Sequence, residues 1–129
     1  MLTIVDLTPS APVTVTVAGS GTIYQPLSEA LDLGELDTVD LEVVVLDSPS
    51  GTNFTFGICT SLQRETASGW VEEPASLFDF ETIAGGGERS RGRRFDAGLL
   101  RYLRWRFAFD VAGGTITFYM RGVGRRLGK

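Results

Sequence analysis

Four acidic residues in one short stretch could supply oxygen ligands to a cation. They are Asp32, Glu35, Asp37 and Asp40. A calcium loop needs several converging oxygen ligands, and an EF-hand loop ends in a bidentate Glu. The stretch has neither that spacing nor that terminal Glu, so it favours a solvated turn leading into a strand. We therefore predict no metal site.

Two neighbouring carboxylates, Glu72 and Glu73, are the second set that could do chemistry. Glycosidases place two carboxylates around one glycosidic bond. Adjacent residues of a strand point to opposite faces, so this pair could address one bond only from a loop. No other residue in the sequence supports that interpretation.

Most other catalytic groups are missing from the chain. Its 129 residues include no histidine and one cysteine, Cys59. Without histidine, Ser-His-Asp and Cys-His catalysis and His-ligated metal sites are excluded. A single cysteine also excludes an internal disulfide and multi-cysteine metal sites. We predict a protein that is not an enzyme, with no catalytic residues and no cofactor; a carboxylate-based hydrolase is the least favoured alternative.

The glycine- and arginine-rich stretch Gly85–Arg94 could bind phosphate, because glycine-rich loops expose backbone amides and arginine binds phosphate bidentately. It lacks the Gly-Lys-Ser/Thr ending of a P-loop, and no helical pattern follows it. A mobile surface loop with solvated arginines is the favoured interpretation.

The charges are strongly divided along the chain. Residues 1–88 contain fourteen acids and one cation, Arg64, whereas residues 89–129 contain eleven cations and two acids. Seven arginines of the basic part form a candidate assembly surface: Arg91, Arg93, Arg94, Arg101, Arg104, Arg106 and Arg121. Arginine suits interfaces because its planar fork binds carboxylates and is weakly hydrated.

Two other interpretations of these arginines stay open. Nucleic-acid binding is disfavoured, because the chain is acidic overall with a formal net charge of −4. Pairing with acids of the strand that contains Asp40 and Glu42, or simple solvation, is the plainer alternative.

Three aromatic residues could form a sugar-stacking platform: Trp70, Tyr102 and Tyr119. Aromatic residues of a small sandwich more often pack in the core or at an edge. Trp105 alternates with Leu103 and Phe107, so we assign it to the core.

Alternation of apolar and polar residues, the pattern of a strand with one buried face, dominates the chain. Four segments show it clearly: Thr38–Leu46, Asn53–Leu62, Leu99–Asp110 and Gly114–Val123. Weaker patterns predict strands at Thr3–Leu7, Val13–Val17, Leu77–Ile83 and Arg93–Phe95. Leu27–Leu31 predicts a single helical turn, and Ala112–Gly114 a tight hairpin.

Seven or eight short strands predict an all-β fold, an antiparallel two-sheet β-sandwich of jelly-roll type. We expect one domain over residues 1–129. Residues 1–29 form either an N-terminal arm or extra edge strands. No segment is apolar for long enough to span a bilayer, and the N-terminus lacks the pattern of a secretion signal.

An ordered set of features runs through residues 30–124. An acidic turn at 31–34 precedes a long strand, and a Ser-Gly loop at 48–51, Gly69-Trp70 and a glycine-rich break at 85–87 follow. The final two strands flank a Gly-Gly turn. This order resembles that of small β-sandwich proteins encoded among the structural genes of tailed bacteriophages. The resemblance implies a head-decoration, head-fibre or minor-tail role without an active site.

We therefore expect a non-enzymatic phage structural protein, most of all a capsid decoration or head-associated protein that binds the virion lattice through charged surfaces. Its expected partners are other virion proteins, such as the major capsid protein or a tail component, and further copies of itself, with a trimer as one suitable form. Neither membrane nor nucleic acid is an expected partner. The expected location is the virion, after synthesis in the host cytoplasm without a signal peptide. The alternative is a carbohydrate-binding module on a phage tail or host-facing structure, using the surface aromatics.

Overall fold

Ten strands form two antiparallel sheets in the computed structural model, which describes residues 2–8, 12–17, 20–110 and 114–126. In chain order they are β1 (Leu2–Asp6), β2 (Val13–Val17), β3 (Gly21–Tyr24), β4 (Leu31–Asp32), β5 (Thr38–Asp47), β6 (Asn53–Ser61), β7 (Ile83–Ala84), β8 (Arg89–Phe95), β9 (Tyr102–Phe109) and β10 (Gly114–Arg125). Sheet A has the order β1-β10-β5-β8, with β2 also paired to β10. Sheet B has the order β3-β9-β6-β7, with β4 also paired to β9. The predicted antiparallel β-sandwich is confirmed, with ten strands in place of the predicted seven or eight.

Aromatic rings fill the space between the two sheets. Phe56 of sheet B lies 4.9 Å from Phe118 of sheet A, measured between ring centroids, and Trp105 lies 5.0 Å from the same ring. Both contacts are edge-to-face, an arrangement that the ring quadrupoles favour. The four clearly alternating segments are β5, β6, β9 and β10, which are the inner strands of the two sheets. Because they carry the buried faces of both sheets, alternation was a reliable signal for them.

The N-terminal strands lie at sheet edges. β1 and β2 follow one another along β10, since β1 is paired with residues 121–125 and β2 with residues 114–118. β3 crosses to sheet B and pairs with β9. A 3-10 turn, Leu27–Glu29, follows where the sequence predicts one helical turn.

The strand predicted at Leu77–Ile83 is wrong. The chain there forms a helical turn, α1 (Ala75–Phe78), then an extended stretch, and only Ile83 and Ala84 pair as β7. Phe78 and Phe80 are both buried, but Phe80 packs against Phe95 of sheet A while its amide binds sheet B. The alternation therefore reflects the burial of both rings in the core, Phe78 from a helical turn and Phe80 from an extended stretch, and not one strand face.

The mobile loop predicted for Gly85–Arg94 is wrong in its second half, because β8 begins at Arg89. Alternate residues of β8 that face the core side are arginines, so the usual apolar signal is absent. Of the hairpin predicted at Ala112–Gly114, residues 112 and 113 lie outside the described ranges, and Gly114 is the first residue of β10. Within those ranges no helix is long and apolar enough to cross a membrane.

Candidate functional site

The seven arginines predicted as an assembly surface lie in separate places. Arg94 and Arg121 are on the outer face of sheet A, and Arg101 is at one end of the sandwich. Arg91 and Arg93 are opposite the buried Val43 and Leu41 of β5, and directly opposed side chains share a face. They therefore project from β8 on the core side. Arg104 and Arg106 lie on the outer face of sheet B.

Arg91 and Arg93 bind the edge of sheet A to residues 76–82, which lie against sheet B. Arg93 donates to the backbone oxygens of Ser76 and Asp79, and its guanidinium lies 5.1 Å from the ring centroid of Phe95. Arg91 donates to the backbone oxygen of Thr82 at 3.3 Å. We call β8 together with residues 76–82 the closed edge.

Three of the four acids considered as cation ligands, Asp32, Glu35 and Asp40, pair with arginines in place of the predicted solvation. Arg94 donates to Asp40 at 2.8 Å and Arg101 to Asp32 at 3.1 Å. These hydrogen bonds lower the pKa of both carboxyl groups. Among the described residues no group of three or more possible ligands is placed to hold a metal ion.

Arg104 is buried on the outer face of sheet B, with 7% of its surface exposed. Its guanidinium carbon lies 5.3 Å from the ring centroid of Tyr24 and 4.9 Å from that of Trp70. Its Nε donates to the backbone oxygen of Gln25 at 2.8 Å. The cation is therefore held between two aromatic rings and a carbonyl group, an arrangement that stabilises a desolvated guanidinium.

Arg106, one position further along the same face, is 6% exposed and donates to the Asp79 carboxylate. Glu72 lies 3.8 Å from its Nε and also accepts a hydrogen bond of 2.8 Å from the Tyr24 hydroxyl. Burial raises the pKa of Asp79, while Arg106 opposes that shift. Gly57 makes room for this pair, because a Cβ there would collide with the Asp79 carboxylate. Glu72 thus serves in an ion-pair network that attaches residues 72–79 to sheet B.

The three predicted sugar-stacking residues do not converge. Trp70 and Tyr102 lie on the sheet B side, whereas Tyr119 is on the outer face of sheet A with Arg121 4.2 Å from its ring centroid. Tyr24, which was not among the predicted residues, is the ring that lies with Trp70 against the Arg104 guanidinium. β3 has only four residues, and nothing in its sequence marks Tyr24 as part of a site.

The glycine-rich break also serves the fold. The Gly85 amide donates to the Thr52 carbonyl at 2.7 Å, and the Gly86 amide to the Ser48 hydroxyl at 3.0 Å. A Cβ at Gly85 would collide with the Pro49 carbonyl. The glycines permit a close approach of two loops, so these amides are not arranged around an anion.

Exposed apolar surface collects at the other edge of sheet A. Ile4 and Leu2 of β1 are 81% and 62% exposed, the former the most exposed large apolar side chain of the described residues. Beside them a groove of about 520 Å³ runs between β1 and β4. It is lined by Thr3, Ile4, Val5, Leu31, Asp32, Leu33, Glu35, Leu36 and Arg126. We call β1 and this groove the open edge.

Extra edge strands were expected in residues 1–29, but the exposed apolar surface of the open edge was not, although a signal for it was present in the sequence. In Leu2–Leu7 both alternating sets contain aliphatic residues, Val5 and Leu7 on one side and Leu2 and Ile4 on the other. Only Val5 and Leu7 are buried. Only one face of an edge strand can pack on the core of its own chain, so the second apolar face of β1 is left exposed.

The fold is shared with a viral chain of very different sequence. A chain of infectious bursal disease virus, Gx strain, is 11% identical with a TM-score of 0.55; the match covers all of this chain, which spans 33% of that one. Carbohydrate-binding module CBM6cm-2 of Cellvibrio mixtus lichenase 5A is 12% identical with a TM-score of 0.47, over 95% of this chain and 96% of that one. The C-terminal CBM6 of LamC from Zobellia galactanivorans is 7% identical with a TM-score of 0.48, over 97% and 100%. No protein-family model matches the chain, and no curated protein matches it in sequence. At such identity the likeness to the virus chain shows the fold alone.

Proposed function

We propose that the chain is a non-enzymatic structural protein of a tailed-phage particle, of the head-decoration or head-associated type, and that it binds a neighbouring protein through the open edge. The observation that carries the proposal is the exposure of Ile4 and Leu2 beside an apolar groove. Burying one such side chain is worth about 1.5–3 kcal/mol. Exposed apolar surface next to a sheet edge is typical of a protein-binding site.

The charges of the chain support a protein-binding role more than a catalytic one. The partly buried carboxylate of Asp79 is bound to Arg106. At the groove rim Glu35 pairs with Arg126 at 2.9 Å and Asp32 with Arg101 at 3.1 Å. The rim therefore presents neutralised pairs around an apolar floor, which is the polarity of an interface.

The arginine surface remains part of the proposal in a reduced form. The side chains of Arg94 and Arg101 are 54% and 57% exposed, and Arg121 is also exposed. These three are the members that a charged lattice partner could reach. Arg104 and Arg106 act inside the fold.

Mass spectrometry of purified particles tests this function, using a phage that encodes the chain. The wild-type chain should be present. Ile4→Asp should lower its copy number by about tenfold, because it places a charge in the interface, while Leu46→Asp on the outer face of β5 should not. Absence of the wild-type chain from particles would refute the virion role, and equal incorporation of both variants would refute the open edge as the contact.

Glycan binding is the second candidate, favoured by one local observation. Tyr24 and Trp70 are fixed beside the Glu72 carboxylate and the Arg104 guanidinium, which supplies ring surface and hydrogen-bonding groups together. A glycan array should give binding that Trp70→Ala removes and Tyr119→Ala, on the opposite sheet, preserves. An array without binding to the wild-type chain would rule this candidate out.

A further inference from the structure

We propose that the partner at the open edge is a second copy of this chain, whose β1 strand pairs antiparallel with β1 across a two-fold axis at Ile4. This inference rests on the proposed function of the open edge as a protein-binding surface. It adds the identity of the partner and the atoms through which the partner binds.

The direction of the peptide groups in β1 supports strand pairing. The Leu7 amide donates to the Met120 oxygen of β10 at 3.0 Å, and the register places Val5 opposite Gly122 and Thr3 opposite Gly124. Peptide groups of successive residues in a strand point alternately to its two sides. Those of Leu2, Ile4 and Asp6 therefore point away from β10, and no described residue forms a backbone hydrogen bond to them.

The most exposed apolar residue, Ile4, is the middle one of the three outward-facing residues of β1, so a two-fold axis there would place it opposite its own copy and cover both side chains. In an antiparallel pair centred there, each Ile4 amide donates to the carbonyl of the partner subunit's Ile4. The two exposed isoleucine side chains then lie on the same face of the joined sheet and cover one another. Such a contact uses the same patch on both subunits and closes at two chains.

Charge does not oppose this approach. The Asp6 carboxylate is turned back onto the Thr8 amide at 3.0 Å, so it does not guard the strand edge. Glu35 and Arg126 beside the groove neutralise each other. β1 also contains no lysine, arginine or proline, the residues that usually protect an exposed edge from pairing. A strand of the same kind is its natural complement.

Sedimentation velocity over a range of protein concentrations tests the pairing. The wild-type chain should reach twice the monomer mass. Ile4→Pro removes an outward amide while the β10-facing amides of Thr3 and Val5 stay in place, so the fold should persist and the dimer should weaken by about tenfold or more. Ile4→Ala, which keeps the amide, is the matched control and should weaken the dimer less. A dimer of undiminished affinity in folded Ile4→Pro would overturn the proposal.

Cross-linking gives a second readout that needs no proline. Ile4→Cys should cross-link to itself with a short bis-maleimide, because paired Cα atoms lie about 5.5 Å apart in a hydrogen-bonded antiparallel pair. Leu46→Cys, also exposed, should not. Burial raises the pKa of Cys59 to about 11, so the native thiol does not compete. Equal cross-linking of the two variants, or a wild-type chain that stays monomeric, would overturn self-pairing. If Ile4→Asp were then still lost from particles, the open edge would remain supported as a contact with a different virion protein.

Discussion

The two edges of sheet A are built in opposite ways. At the closed edge, Arg91 and Arg93 project from β8 and bind the backbone of residues 76–82. At the open edge, Ile4 of β1 is 81% exposed beside an apolar groove. One edge is covered by charged side chains and a loop, whereas the other has aliphatic surface and peptide groups that no residue in the described part of the chain binds.

The difference shows how one sheet can both prevent and permit association. Inward-pointing charged residues are a common protection of edge strands, because strand addition would have to desolvate them. Their use at β8 and their absence from β1 indicate that association is directed to one side. The inward arginines of β8 and the buried arginines of β9 thus bind groups inside the fold, and the apolar N-terminal strand is the surface proposed for a partner.

The largest expected effect lies in the network behind the closed edge. Arg106→Met should lower the free energy of unfolding by about 3 kcal/mol, because it leaves the partly buried Asp79 carboxylate without its guanidinium. Arg94→Met, which removes an exposed pair with Asp40, should cost less than about 1 kcal/mol. Urea unfolding measures both. Similar losses for the two variants would contradict the buried role of Arg106.

A smaller effect is expected from opening the closed edge itself. Arg93→Ala should cost about 2 kcal/mol through the loss of its charged hydrogen bonds to Ser76 and Asp79. It should also increase light scattering at high concentration, because β8 loses an edge charge. Arg121→Ala is the control, since Arg121 is also exposed but lies on β10, an inner strand of sheet A. If scattering stays at the wild-type level, Arg93 does not protect the edge.

Adjacent residues of β1 should respond differently to truncation. Val5→Ala should cost about 1.5–2 kcal/mol, because the Val5 side chain is buried and about two methyl groups are lost. Ile4→Ala should change the free energy of unfolding of the monomer by less than about 0.5 kcal/mol. Urea unfolding at low protein concentration separates the two. A large loss in Ile4→Ala would mean that the residue is needed for the fold of the single chain.

The smallest effect concerns acid stability. Arg94 lowers the pKa of Asp40 below its ordinary 3.8, so Asp40 stabilises the fold above that value. The contribution is lost as the pH falls through the lowered pKa of the folded state. Asp40→Asn should therefore flatten the change of the urea midpoint with pH below about pH 4. An unchanged pH profile would show that Asp40 does not link β8 to β5.

The sequence alone was sufficient to predict the strands that pack one face against the core. β5, β6, β9 and β10 alternate because each has one face on the core. β8 was largely missed, because its inward positions carry Arg91 and Arg93, whose charged groups reach carbonyls distant in sequence. A strand was wrongly predicted at Leu77–Ile83 because Phe78 and Phe80 are both buried in the core, although they lie in a helical turn and an extended stretch.

The candidate site was less accessible to sequence reasoning than the fold. Whether β1 lies at an edge depends on its pairing with β10, which is distant along the chain. The partners of Arg104 likewise come together only when β3 and Trp70 meet on sheet B. Composition identified the arginines but could not show which carboxylates and rings already engage them.

Amide hydrogen exchange in β1 tests the open edge most directly. In dilute solution the amides of Ile4 and Asp6 should exchange rapidly, while those of Val5 and Leu7, which face β10, should be protected. In concentrated solution or in assembled particles, Ile4 and Asp6 should become protected as well, with little change at Val5 and Leu7. Rapid exchange of the Ile4 amide under every condition would contradict association through this edge.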